Sequence, residues 1–230
     1  MKSFIKKVLS IIYKVKSFMF FIFNSGEGNK VTLSSFFFRS SYSLFGNQNV
    51  LEFQGKVEKS VFKISGNKNI VSLHSASIFN SSISINGNCN QIFFEEGVYL
   101  VDSKLILRGE NCKIFIGKES TFGGVRIINV GNNNNILVGH NCLFADFIEV
   151  WSSDTHSIYD SEGKIINPEL PIIIGNNVWI GSYVKILKGV TIGDGAILGM
   201  NTLVTKNVDP KTVNVGNPMR CIKENVTWKT

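Results

Sequence analysis

His156 is the residue best placed to move a proton. It follows Asp154-Thr155 and opens a polar stretch, HSIYDSEGKIINPELP, over 156–171. An imidazole exchanges its proton near neutral pH, so it can take the proton of a bound hydroxyl and turn that oxygen into a nucleophile. Asp154, two residues earlier, is a carboxylate that can orient the imidazole, bind substrate or cap a turn. The other two histidines offer less. His140 sits within the regular motif Val138-Gly139-His140-Asn141-Cys142, and His74 lies in an upstream repeat. The spacing of 74, 140 and 156 lacks the tight ligand pair of a zinc site, so no metal is expected. There is no Gly-x-Ser-x-Gly nucleophile motif, Walker loop or strand-linked G-x-G-x-x-G. Direct transfer between two bound substrates is therefore the simplest chemistry. The cysteines at 89, 112, 142 and 221 form no C-x-x-C pair and read as buried small thiols.

The elements that position these groups follow from a repeat. Ile174, Ile180, Ile186, Ile192, Leu198 and Val204 are six residues apart without a slip. Four residues after each come Val178, Val184, Val190, Ala196, Thr202 and Val208. The register continues upstream at Val138, Phe144 and Val150, with Cys142 and Ile148 in the small position. A period of six fits neither a helix nor an alternating strand. It fits very short strands, each ended by a tight turn, with three such units closing one triangular coil. Stacked coils bury an aliphatic column and bond to one another through the backbone.

The middle of the chain repeats more loosely. Corners beginning at Gly46, Gly66, Gly87, Gly109 and Gly131 lie 20, 21, 22 and 22 residues apart. Each precedes an apolar residue: Val50, Ile70, Ile92, Ile114 or Ile136. Gly and Asn at these corners are expected to take positive φ, and stacked Asn side chains to form a ladder. The register breaks between Val150 and Ile174, so 156–171 reads as an excursion loop with a functional role.

The 230 residues carry 43% hydrophobic and 18% charged residues and a formal charge of +7. That is a globular composition with a leaning towards anionic partners. The basic residues are scattered, which argues against nucleic acid, except in residues 1–25. There Lys2, Lys6, Lys7 and Lys14 fall on one helical face, and Ile5, Val8, Leu9, Ile12, Val15, Met19 and Ile22 largely on the other. The lysines interrupt every run long enough to span a bilayer. The segment reads as a basic amphipathic helix that either lies on an anionic membrane or packs on the protein. A cytoplasmic location follows, at the inner membrane face in the first case. The expected organisation is a helix over 1–25, a solenoid over 26–211 and a tail over 212–230.

The run IIIGNNVWIGSYVKILKGVTIGDGAILGMNTLVTKNV, followed by VGNPMRCI, resembles the hexapeptide-repeat acyltransferases. The conjunction of an Asp-x-His loop, V-W-I-G, V-T-K and G-N-P is similar to the maltose, galactoside and nodulation-factor O-acetyltransferases. The Gly-Asn-rich early coils and DTHSIYD look more like the capsule and sialic-acid O-acetyltransferases. The family's His-Pro is His156-Ser157 here.

The resemblance implies a mainly β, left-handed parallel β-helix and a homotrimer with acetyl-CoA lying between neighbouring prisms. It implies transfer of acetyl to a hydroxyl of a cell-surface saccharide, with His156 as the base. It places an oxyanion donor at the backbone N–H of Ser182, after the V-W-I-G turn, and makes Trp179 an acceptor-positioning residue. For the cofactor, Gly181 and Gly199 leave room for close approach, while Thr205, Lys206, Arg220 and Lys223 are candidates for its amides and phosphates. Two other readings stay open: N-acetylation of a nucleotide-linked amino sugar, and a noncatalytic carbohydrate-binding β-helix.

Overall fold

The computed structural model describes residues 22–34 and 36–229. The described residues form strands and turns without a helix, wound into a left-handed solenoid with three flat faces. Residues of the first face pair in the order Val50, Ile70, Gln91, Lys113 and Asn135, all parallel. On the second face Tyr99 pairs with Thr121, Thr121 with Leu143, Leu143 with Trp179, and Trp179 with Ile197. On the third face Lys104 pairs with Arg126, Arg126 with Glu149, Glu149 with Lys185, and Lys185 with Leu203. The last coils advance by 18 residues, as Trp179↔Ile197 and Lys185↔Leu203 show.

The hexad column is the core. Ile174, Ile180, Ile186, Ile192, Leu198 and Val204 are buried, as are Val178, Val184, Val190, Ala196, Thr202 and Val208 beside the corners. Upstream the inward position differs from the expected one. Val50 and Ile70 point outward, and Leu51 and Val71 take the places that align with Ile92. In every coil the inward site lies five residues after the corner glycine, where Leu51, Val71, Ile92, Ile114 and Ile136 stand.

Polar ladders finish the corners. Asn49, Asn69 and Asn90 are buried, and each Oδ1 accepts from the next coil's backbone N–H: Asn69, Asn90 and Cys112 in turn, at 3.0 Å. Each Nδ2 donates to a glycine carbonyl one coil on: Gly66, Gly87 and Gly109. A second ladder runs through buried Ser40, Ser60, Ser81 and Ser103, whose hydroxyls accept from the backbone N–H of Ser60, Ser81, Ser103 and Val125. Both satisfy backbone donors that burial would otherwise leave unpaired. Positive φ falls on each corner glycine and on the residue two places after it, which is Asn111 and Asn133 in the later corners, as expected, but Gln48, Lys68 and Cys89 in the earlier ones.

Cys112 and Cys142 are buried, whereas Cys89 and Cys221 are exposed; all four are free. The amphipathic helix expected over 1–25 lies outside the described residues up to 21. Its last four residues, Ile22–Ser25, instead form a strand beside Ser41–Phe45. Parallel pairing also runs past 211, because Val213–Val215 still pairs with Ile197–Leu198. The chain then reverses into the antiparallel strand Arg220–Lys223.

Candidate active site

The excursion leaves the third face after Trp151 and rejoins the first at Ile172, so it begins four residues before His156. Two buried serines launch it. Ser152 Oγ donates to Asn129 Oδ1 at 2.9 Å, and Ser153 Oγ accepts from the Thr155 N–H at 2.9 Å. Thr155 has φ 64, a left-handed conformation that a β-branched side chain rarely adopts. The strained residue directly precedes His156, whose side chain is exposed.

A polar clamp holds this root. Lys188 Nζ donates to Asp154 Oδ2 at 2.5 Å and to the Asn167 carbonyl at 2.8 Å. Asn167 Nδ2 donates to both Asp154 Oδ2 and the His156 carbonyl at 2.9 Å. Its Oδ1 accepts from the Ile158 N–H at 2.6 Å. The Lys188 hydrogen bond, and then that of Asn167, hold the Asp154 carboxyl below the usual carboxylate range. Asp154 is thus engaged with Lys188 and Asn167, and Asn167 in turn holds the backbone at His156 and Ile158. Beyond the clamp the loop is a small hairpin closed by Tyr159↔Ile165, with Asp160 Oδ1 accepting from the N–H groups of Glu162 and Lys164.

Sequence reasoning missed Lys188, Asn167, Ser153 and Thr155. Lys188 is a charge in the turn of an otherwise regular hexad, and Asn167 precedes a proline. Those are weak local signals for a contact formed 34 residues apart.

The remaining candidates fall at separate edges. Trp179 begins a strand of the second face and is 41% exposed. Gly181 and Ser182 follow that strand, at the edge shared with the third face. The Ser182 carbonyl accepts from the Asn201 N–H, while nothing among the described residues accepts from the Ser182 N–H. A Cβ at Gly181 would meet Met200 N and Leu198 O, and one at Gly199 would meet Val215 Cγ1. A side chain at either position would therefore press on the neighbouring coil. Thr205 and Lys206 are exposed at the opposite edge of the third face. Lys206 stands one coil beyond Lys188 in the register Ile186↔Val204. Arg220 and Lys223 lie on the terminal antiparallel strand, beside Val215 and Val213. The fold thus gathers His156, Asp154, Lys188 and Lys206 along one corner, and Ser182, Gly181 and Gly199 along another.

His140 occupies a regular corner, its N–H bonded to Asn176 Oδ1 at 3.1 Å. His74 packs against Phe93 with the rings tilted by 41°, its Nε2 3.0 Å from Ser72 Oγ. Burial pushes the Cys142 thiol up to about 11, which leaves it protonated and a poor nucleophile.

A family model described as bacterial transferase hexapeptide (six repeats) matches residues 171–206. A polysialic acid O-acetyltransferase of Escherichia coli O1:K1 / APEC is 33% identical over 125 residues, which are 54% of this chain and 40% of that protein. A putative acetyltransferase of Staphylococcus aureus (strain COL) is 30% identical over 139 residues, covering 54% of this chain and 68% of that protein. The solved structure of the polysialic acid O-acetyltransferase OatWY superposes with a TM-score of 0.67 at 26% identity, covering 92% of each chain. The chain spans about half the length or less of several curated relatives that it matches.

Proposed function

The chain belongs to the bacterial hexapeptide-repeat transferases, and from that premise we propose that it moves an acetyl group from acetyl-CoA to a hydroxyl of a cell-surface saccharide. The observation that carries this reading is the clamped loop root: Thr155 in a left-handed turn, with Asp154, Asn167 and Lys188 fixing the backbone around an exposed His156. Strain held in place by hydrogen bonds is what a positioned catalytic group requires.

In the proposed reaction the His156 imidazole accepts the acceptor's hydroxyl proton. The oxygen attacks the thioester carbonyl, and the developing oxyanion is met by the Ser182 N–H. The C–S bond then breaks, acetyl stays on the saccharide oxygen, and the proton passes to the departing CoA thiolate. Thr205, Lys206, Arg220 and Lys223 are the candidates for CoA's amides and phosphates, and Trp179 for orienting the acceptor.

His156 and Ser182 lie at opposite edges of the third face. That separation supports a site completed between copies, with one chain supplying the base and its neighbour the oxyanion donor and Trp179. We therefore infer a homotrimer, which light scattering on the purified protein checks; an active monomer refutes it. For residues 1–21 the inferred role is peripheral contact with an anionic membrane, tested by liposome sedimentation with and without them.

The deciding experiment is a mass-spectrometric acceptor screen with isotope-labelled acetyl-CoA. An O-linked label on a saccharide is the expected result. A label on nitrogen would give the amino-sugar reading, and no transfer to any acceptor would reject the enzyme.

A further inference from the structure

Beside Trp179 the second face opens into a groove of about 570 Å³. Its floor is made by the leading ends of two strands, at Thr121 and Leu143, and by the corner residues Glu119, Asn141 and Asn177. All three corner residues are held at φ between 53 and 57. Trp228 forms one wall. The C-terminal tail carries it back over the prism: the Val226 N–H bonds to the Lys211 carbonyl at 2.9 Å, and the Trp228 indole N–H donates to the Asn177 carbonyl at 2.7 Å. The Trp179 and Trp228 ring centroids are then 6.0 Å apart, with the planes tilted by 46°.

Two features point to a ligand. The indole's single polar atom is spent on the backbone, so Trp228 offers a ligand its apolar ring. The exposed corner amides also differ from those of the buried ladder. Asn49, Asn69 and Asn90 are consumed by their ladder, but the side-chain amides of Asn141 and Asn177 bond to nothing among the described residues. An aromatic wall facing free primary amides, a threonine and a carboxylate suits a saccharide. A sugar ring presents an apolar C–H face for the aromatic and peripheral hydroxyls that need both donors and acceptors, and a primary amide supplies both. A phosphorylated cofactor fits worse. The groove's one cation, Lys229, shares it with the Glu119 carboxylate. Gly181 and Gly199 lie at the opposite ends of the strands that Trp179 and Ile197 begin.

We propose that this groove is a saccharide-binding subsite, outside the reacting centre, with Trp228 as its platform. It takes a further sugar unit of the acceptor and braces Trp179; only the word acceptor rests on the acetyl-transfer reading. The probes are three hexasaccharides, of sialic acid, maltose type and chitin type, observed by saturation-transfer NMR with the full chain. At least one should bind. Trp228→Ala should weaken it about tenfold, the scale of one lost aromatic contact, with the melting temperature unchanged. Trp228→Phe, which keeps a ring, should retain most of the binding. Saturating coenzyme A should leave the hexasaccharide bound. Binding of none of the three, unchanged binding by Trp228→Ala, or displacement by coenzyme A would each overturn the subsite. Failure of the acetyl-transfer reading looks different: the hexasaccharide still binds through Trp228, but no acetyl group is transferred to any acceptor.

Discussion

Asp154 and Lys188 meet at 2.5 Å across 34 residues of chain, joining the root of the excursion to the turn of the following coil. Lys188 is the more enclosed partner, at 15% side-chain exposure against 44% for Asp154. The bond therefore uses the solenoid's rigidity to hold a loop that has little packing of its own.

Breaking this clamp should separate activity from stability. Asp154→Asn and Lys188→Ala remove an ion pair that is half open to water, and such pairs contribute at most about 1 kcal/mol. The melting temperature should move little. The rate should drop about tenfold or more, because small displacements of a catalytic group are expensive. Paired thermal melts and single-turnover rates read the two effects, and equal loss of both would make the clamp structural only. Asp154's pKa is lowered by folding, so its stabilising contribution is present above the unfolded-state value. It is lost as pH falls through the lower folded value, below the ordinary carboxylate range. Loop protection in hydrogen exchange should therefore fade only in strong acid.

The glycine column should tolerate no side chain. Gly66 has φ 117, and a Cβ there would overlap the Gly87 carbonyl of the next coil. Gly66→Ala should destabilise the protein by roughly 2 kcal/mol or more, from backbone strain plus separation of two coils. Denaturant unfolding measures this. A variant as stable as wild type would mean that the coils are not stacked at this corner.

Asn69 tests the ladder itself. Removing its amide leaves the buried Asn90 N–H without an acceptor and the Gly87 carbonyl without a donor. Asn69→Ala should cost about 1–3 kcal/mol, the range for a buried polar group left unpaired. The exposed Asn67 should cost far less when replaced by alanine, since water can substitute for its bonds. Equal effects at the two positions would reject the distinction between the buried ladder and an exposed corner amide.

The C-terminal coils were legible because their chemistry is strictly periodic: Ile174 through Val204 recur at six residues and all point inward. The looser early coils were legible as corners but not as register, since Val50 and Ile70 are as apolar as the neighbouring Leu51 and Val71, and only the latter align with Ile92. His156 could be found where periodicity ends. Its supports could not, because Lys188 reaches Asp154 only after the chain has closed another coil. Trp228 was hidden for the same reason: a C-terminal tail has no period that reveals where it folds back.

The last prediction concerns the base. His156 is the histidine set beside a strained, clamped backbone, whereas His140 lies on a regular corner and His74 packs against Phe93. His156→Ala removes an exposed side chain and should leave the solenoid, its assembly and coenzyme A affinity intact. If the imidazole accepts the acceptor's proton, kcat should fall by roughly 10²–10⁴, the usual contribution of general-base catalysis. Thr155→Gly should also slow the reaction, but less than His156→Ala, because it loosens the aim of the base without removing it. His74→Ala and His140→Ala should have much smaller effects on the rate. A folded His156→Ala protein with near wild-type kcat would refute the mechanism and leave the fold untouched.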